Sequence, residues 1–493
     1  MSDPARLLLV TSNGAGMGHL SRQLSVALAA GDRAETTIMS LSVALPVVAR
    51  HGIAAEYCPS VERDWMPPTS WHGYLRDRLV ALARETRAEV IAFDGVAPYP
   101  GIGMARPQLR DAAFVWFRRG MWRAGVNTAQ LKKASIFDVV IEPGELAAAA
   151  DRGATARRKE VVRIPPMSML EVVDRLPRHD AAEVLGLDPD RPTVLVTLGS
   201  GRLGDVSAPG AVVMEALLQH TDWQICVTKP AIAQKAVPLL DGAKVVELRG
   251  VYPLVRYLNA FDAAVSAAGY NAVHEFLPGG LPTLLVPNPA TQTDDQVARA
   301  TWLGEAGLAL AADPTAPDEL SAAVHRLVDA ETLAQLSQAT RSVPENERTG
   351  GAASAADRLV DLAGHFVPSP PSLLERARRI ERSGRETVKR LLGPNGTARV
   401  RSLLGRAQRH EVNRRLEVRV VTRAHEVELD DESVPTALLF ANEIPDRLIR
   451  NGGPVEHLVT GSSPEYAAAR RRIVAEYYDV ARPDGPDLPS QVS

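Results

Sequence analysis

The stretch Ser266-Ala-Ala-Gly-Tyr-Asn-Ala-Val-His-Glu275 decides the fold. It continues the short apolar run Phe261-Asp-Ala-Ala-Val-Ser266, whose length and composition suit a buried strand of a parallel sheet. Gly269 is expected to let the backbone turn tightly into a helix whose first N–H groups lack intrahelical partners, and such an N-terminus suits a phosphate. Ser266 and Asn271 flank that turn and join the same candidate donor site. Glu275 lies about a turn and a half inside the helix, where its carboxylate can accept from two neighbouring hydroxyls, as a ribose offers. The loop Asn288-Pro-Ala-Thr-Gln-Thr-Asp-Asp-Gln296 follows the next strand, Thr283 to Val286, and brings Asp295 and Gln296 to the same end of the sheet. Ligands of open α/β sheets bind at that end.

Outward from this segment, β runs alternate with helical patterns. Arg6 to Val10, Thr36 to Ser40, Glu89 to Phe93, Phe114 to Phe117 and Val139 to Ile141 form a first series. Thr193 to Leu198, Trp223 to Val227, Val245 to Leu248, Ala263 to Ser266, Thr283 to Val286 and Leu308 to Ala311 form a second. Two successive doubly wound α/β sheets explain this better than one large sheet. The expected division is a first domain at 1–165, a linker at 166–192 beginning in Ile164-Pro-Pro-Met, a second domain at 193–365, and an extension at 366–493. The alternation stops at Pro368-Ser-Pro-Pro371. Residues 372–417 carry thirteen Lys or Arg against five Glu, with apolar residues at helical spacing, so they read either as basic amphipathic helices on an anionic membrane or partner, or as a solvated helical hairpin.

Composition narrows the class. The chain of 493 residues is 45% hydrophobic and 23% charged, as a soluble protein of two or three domains is, and its net charge of −3 gives no footprint for nucleic acid. Cys58 and Cys226 stand alone in apolar surroundings, which argues against a disulfide framework or a zinc site. No run approaches the ~20 apolar residues of a spanning helix, and the first residues do not read as a secretory signal, so a cytoplasmic location is expected. Asn395-Gly-Thr is then a turn and not a glycosylation acceptor.

The ordered set small-x-x-Gly-x-x-x-x-x-Glu, Gly-Leu-Pro-x-Leu-x-Val-Pro and a loop ending Asp-Gln resembles the donor half of the GT-B glycosyltransferases. It is most similar to family 28, typified by the peptidoglycan N-acetylglucosaminyltransferase, and more distantly to the family 1 UDP-glycosyltransferases. The resemblance covers roughly residues 5 to 365. It implies a UDP-sugar donor, a carbohydrate, lipid-linked or small-molecule acceptor, no cofactor and no metal. Asp188-Pro-Asp190 and Asp430-Asp-Glu432 have the look of a metal-binding Asp-x-Asp but fall in the linker and the tail. It further implies that Gly199-Ser200-Gly201 contacts the diphosphate, that Arg249 and Val251 lie where the base is held, and that Asp295 and Gln296 reach the transferred sugar. Asp295 or Gln296 can instead cap the helix beginning near Val297.

The first glycine loop, Thr11-Ser-Asn-Gly14-Ala-Gly16-Met-Gly18-His19, follows the strand Leu7 to Val10, and Leu20, Leu24, Ala27 and Leu28 mark the helix that Gly31 ends. The dinucleotide spacing Gly-x-Gly-x-x-Gly is absent, which weighs against NAD or FAD. By resemblance Gly16 and Gly18 open the acceptor side and His19 faces the donor. Imidazole titrates near neutrality, so His19 is the candidate base, and Asp94, at the end of Glu89 to Phe93, is the candidate partner that orients it. A cap for His19 and a turn for Asp94-Gly95 are the structural alternatives. Arg118 and Arg119, in Trp116-Phe-Arg-Arg-Gly-Met-Trp-Arg123, suit an anionic acceptor. A UDP-sugar 2-epimerase of the same fold and a non-catalytic nucleotide-sugar-binding protein are the competing functions.

Overall fold

The computed structural model describes residues 3–12, 17–42, 44–45, 48, 51–61, 68–199, 204–229, 237–238 and 245–368. Continuous apolar runs such as Leu7-Leu-Leu-Val10 need cover on both faces, and the chain supplies it by building parallel sheets with helical crossovers. The first sheet contains β1 (Ala5–Thr11), β2 (Ala34–Ser40), β3 (Ala54–Tyr57), β4 (Val90–Asp94), β5 (Ala113–Phe117), β6 (Val139–Pro143) and β7 (Val162–Ile164). Its order is β3-β2-β1-β4-β5-β6-β7, with every pair parallel. The second contains β8 (Thr193–Thr197), β9 (Gln224–Lys229), β10 (Val245–Arg249), β11 (Ala263–Ser266), β12 (Thr283–Leu285) and β13 (Leu310–Ala311), in the order β10-β9-β8-β11-β12-β13, again all parallel. Strand order reverses between β1 and β4 and between β8 and β11. Those two switch points are where such sheets open a crevice for ligands.

Two short strands escaped the sequence reading. β3 is four residues and β7 three, too short for a period to register. The expected linker at 166–192 is also more ordered than its proline and charge content suggested. It carries the Arg178–Leu185 helix, which packs on the Leu254–Ala260 turn of the second domain, while Arg178 pairs with Asp262 at 2.9 Å. The span 193–365 does not close on itself either. Its last helix, Gly351–His365, crosses back to pack on the Gly18–Ala30 helix and β1, and Glu171 accepts the Ala352 N–H at its N-terminus (2.9 Å). The basic segment 372–417 and the rest of the extension lie outside the described residues. Among the described residues no helix is long and apolar enough to cross a membrane.

The two domains meet directly. Met121 and Ala147 of the first are buried with Ala268, Val273, Leu277 and Leu285 of the second. Beside this apolar contact Trp122 and Asp294 form an antiparallel bridge, in which Asp295 N donates to Met121 O (2.8 Å) and Arg123 N to Thr293 O (2.8 Å). Met121 adopts φ 55, a left-handed backbone unusual for a residue with a side chain, which turns its side chain into the second domain. Arg299, fully buried, donates to Glu145 Oε2 of the first domain at 3.0 Å, to Asp294 Oδ1 at 2.9 Å and to Ala268 O at 2.9 Å.

Candidate active site

His19 is the second residue of the Gly18–Ala30 helix that follows β1, and Asp94 is the last residue of β4, the neighbouring strand across the first switch point. The topology therefore joins two residues that are 75 apart in sequence: His19 Nδ1 and Asp94 Oδ1 are 2.7 Å apart, both nearly inaccessible to water. Burial alone would raise the Asp94 pKa, but Arg22 and His19 outweigh it and hold the carboxyl well below its ordinary range. An ionised Asp94 only accepts, so Nδ1–H is the tautomer it selects, and exchange of a proton with a ligand falls to Nε2. Burial lowers the His19 pKa, Asp94 opposes this, and Arg22 and Arg119 add to it, so the ring is held neutral.

A small pocket, about 260 Å³ of empty space partly open to solvent, lies beside this pair. Arg119, Trp122 and Gly95 line it from the first domain, and Thr293 and Asp294 from the second. Arg119 stands over the Tyr270 ring and 3.8 Å from Asp294. Asp294 is already committed to Arg299; burial works against its charge, yet Arg299 and Arg119 bring its pKa to about 2. Arg119 is thus a half-buried cation with only a shared counter-charge, and desolvation pulls its pKa down. An anion in the pocket would relieve that deficit.

The remaining expected residues divide. Gly18 and Asn271 face each other across the domain boundary, with Asn271 Nδ2 donating to Gly18 O at 3.4 Å. Gly269 begins the Tyr270–Phe276 helix with φ −72, so the tight turn expected of it is made with backbone angles open to any residue, and a side chain there would meet nothing closer than Gln296 Nε2 at 3.9 Å. Gly199, after β8, has φ 94 and does need to be glycine. Gln296 is buried, its Oε1 accepting from Asn288 N at 3.0 Å. Glu275 is half-buried, and desolvation, only partly opposed by the Met169 amide, pushes its pKa up to about 8. Val251 is half-buried just after β10.

Four of the expected residues have partners within the chain. Arg118 is buried away from the pocket, donating to Glu142 Oε2 at 2.7 Å and stacking on Trp116, because alternate residues of a strand exit face opposite sides. Arg249 is exposed and pairs with Glu247 of its own strand. Asp295 caps the Gln296–Glu305 helix, its Oδ1 accepting from Ala298 N at 3.1 Å, which is the capping alternative. The Ser266 hydroxyl donates to Ala267 O at 3.1 Å. Gly16, Ser200 and Gly201 lie outside the described residues.

Arg22, Asp294, Arg299 and Tyr270 were missed by the sequence reading. Arg22 had a local signal, since it stands three residues after His19, on the same helical face, as the only Lys, Arg, Asp or Glu of that helix. Arg299 had none, because its partner Glu145 is 154 residues away. Among the described residues no group of three or more His, Cys, Asp or Glu side chains could hold a metal ion.

Comparison with known proteins agrees with this architecture. Residues 243–358 match the glycosyltransferase family 28 C-terminal domain. A UDP-N-acetylglucosamine–N-acetylmuramyl-(pentapeptide) pyrophosphoryl-undecaprenol N-acetylglucosamine transferase of Clavibacter michiganensis subsp. michiganensis is 32% identical over 231 residues, 44% of this chain and 58% of the relative. The chain thus spans little more than half the length of the curated relative it matches. The spinosyn forosaminyltransferase SpnP superposes with a TM-score of 0.53 at 17% identity, covering 73% of this chain and all of that one. A structure assigned as a UDP-N-acetylglucosamine 2-epimerase, from Listeria monocytogenes, reaches 0.50 at 15% identity, over 76% of this chain and 99% of its own. Residues 243–358 are thus similar to the glycosyltransferase family 28 C-terminal domain, within a chain of GT-B fold.

Proposed function

We propose that the chain transfers a hexose or N-acetylhexosamine from a UDP-sugar to a hydroxyl of an anionic, lipid-linked acceptor, with inversion at the anomeric carbon. The observation that carries this is the His19–Asp94 pair at 2.7 Å, set at the first switch point beside a pocket that the second domain closes. In the reaction the acceptor O–H gives its proton to His19 Nε2 as its oxygen bonds to the anomeric carbon. The bond from that carbon to the β-phosphate oxygen breaks, and its electron pair leaves on UDP. Asp94 keeps the ring in the required tautomer and stabilises the imidazolium that forms. Arg119 meets the charge on the diphosphate or on the acceptor, in the place a metal ion fills in other transferases. Glu275 takes the ribose hydroxyls, and Gly269, which the backbone does not require, leaves room for close approach of the phosphates. Asn271, Gly199 and Gln296 line the donor's path, and Asp295 keeps one carboxylate oxygen for the sugar while the other caps its helix.

The relative's acceptor, as its name states, is a pyrophosphoryl-undecaprenol. A cytoplasmic enzyme meeting such a lipid at the membrane face fits the basic segment 372–417. The test is a panel of UDP-sugars with lipid diphosphate and simple alcohol acceptors, reading UDP release and the anomeric configuration of the product by NMR. Inverted product from a UDP-sugar is expected. Retained configuration, or UDP-sugar binding with no transfer to any acceptor, overturns the proposal.

A further inference from the structure

Asp94 serves two cations at once. Arg22, almost fully buried, donates through Nε to Asp94 Oδ2 (2.9 Å) and through Nη2 to Oδ1 (2.6 Å), the oxygen that His19 Nδ1 also meets at 2.7 Å. Two donors on one oxygen bring Nη2 within 2.8 Å of Nδ1, where with Nδ1–H directed at Asp94 neither nitrogen accepts from the other, and the charge of an imidazolium would add to the repulsion. The remaining guanidinium nitrogen, Nη1, donates across the domain boundary to Asn271 Oδ1 at 3.2 Å, and the guanidinium lies over the Tyr270 ring. From this geometry we infer that Arg22 is a positioning residue: it supplies the permanent counter-charge of Asp94, so that His19 stays unprotonated and free to act as a base, and Asn271 makes that arrangement depend on the docked second domain. The inference rests on the transferase reading for its consequence in turnover, but not for its effect on the imidazole.

The charged groups facing His19 are Asp94 from β4, Arg22 from its own helix and Arg119 from beyond β5, with Asp294 beside Arg119. Burial and Arg119 disfavour the imidazolium, Asp94 favours it, and the occupancy of both Asp94 oxygens by Arg22 sets how much of that favour remains. Without Arg22, His19 becomes the sole cation for a buried carboxylate and holds its proton to higher pH. The other guanidinium beside the pair, the half-buried Arg119, does not reach Asp94 by a hydrogen bond among the described contacts.

The experiment is an NMR titration of histidine-labelled full-length protein, with the His19 signal assigned by His19→Gln, in wild type, Arg22→Met, Arg22→Lys and Asn271→Ala. The pH dependence of turnover of UDP-N-acetylglucosamine is measured beside it. Arg22→Met is expected to raise the His19 midpoint by about one pH unit or more, a tenfold change in its acidity. The acid limb of turnover moves up with it and activity recovers as pH rises. Arg22→Lys restores most of the wild-type midpoint, and Asn271→Ala places it between wild type and Arg22→Met. An unchanged midpoint, or a loss of turnover equal at every pH, overturns the role of Arg22. If Arg22→Met does not fold, Asn271→Ala carries the test, and a wild-type midpoint there overturns the link to the second domain. A shifted midpoint with no UDP-sugar turnover supports the role of Arg22 and removes the transferase reading. Wild-type turnover with an unshifted midpoint does the reverse.

Discussion

Arg299→Met should open the domain interface from behind the pocket, since Arg299 does not line it but holds Asp294, which does. The arginine is fully buried and is the main partner of two carboxylates, Glu145 at 2.9 Å and Asp294 at 2.9 Å. Methionine fills much of the same volume but leaves both carboxylates uncompensated, apart from Arg119 at 3.8 Å from Asp294. Breaking a buried pair by removing one partner costs about 3 to 5 kcal/mol, a large part of the ~5 to 15 kcal/mol that holds a typical domain folded. The loss is expected at the docked interface, because Glu145 belongs to one domain and Asp294 to the other. The amides of Arg123 and Asp295, whose hydrogen bonds cross that interface, report it by hydrogen exchange. At about 1.4 kcal/mol per decade, their exchange should quicken by roughly two to three and a half orders of magnitude, up to the limit set by the interface's own stability. The pH dependence carries a sign. The Asp294 pKa, at about 2 in the folded chain, lies below its unfolded value, so the stability it contributes is present above the unfolded value and is lost as pH falls through about 2. Without Arg299 the carboxyls bind protons at higher pH, and the deficit of the variant should narrow on acidification from about pH 7.5 to 5. Exchange less than tenfold faster at either amide, or a deficit independent of pH, would refute this reasoning.

His19→Ala should lower turnover by roughly 10² to 10⁴ while donor affinity, measured by calorimetry with UDP, stays near wild type. A raised Kd with unchanged turnover would reassign His19 to the donor. Glu275 is protonated near neutrality in the free chain and must ionise to accept strongly from ribose hydroxyls, so UDP affinity should rise with pH through about 8 in wild type and stay flat in Glu275→Gln. His274 is buried and neutral, its Nδ1–H directed at Tyr270 O (2.7 Å) and its Nε2 accepting from Leu146 N (3.1 Å); burial lowers its pKa, as it does for His19. Stability from both is present above the ordinary imidazole value and is lost as pH falls below about 6.5, which denaturant midpoints compared with those of His274→Asn will show as a shallower acid slope in the variant.

The doubly wound plan was legible because each strand is an apolar run bounded by turn residues, and strand order follows from βαβ handedness. His19 was read by resemblance and Asp94 as the end of its strand, and the topology collects the end of β4 and the helix start after β1 at one edge. The arginines were not equally legible. Arg118 and Arg119 are adjacent in a strand exit, and alternation sends one into a pair with Glu142 and the other into the pocket, a one-residue register that sequence alone does not assign. Arg22 depends on Asp94 from a distant strand and Arg299 on Glu145 from the other domain, so neither partner is near in sequence. The local structure of the expected linker was not legible because it comes from docking: Arg178 is spent on Asp262, and Glu171 on the amides of the returning helix.

A transferase and an epimerase share this fold, so the choice between them falls to the groups around the sugar and not to the architecture. Inverting a ring carbon requires a proton removed from one face and returned to the other, hence two groups that gain and lose protons near neutrality beside the sugar. The carboxylates lining the pocket are Asp94 and Asp294, and arginines hold both well below the range in which they could carry a proton. Glu275 titrates high enough, but it sits by the Met169 amide and does not line the pocket. His19 is left as the one pocket-lining group among the described residues that is held neutral and can accept a proton, while Arg119 offers charge without proton exchange. One base beside one fixed cation suits the proposed single displacement at the anomeric carbon, and among the described residues it is one group short of an epimerase.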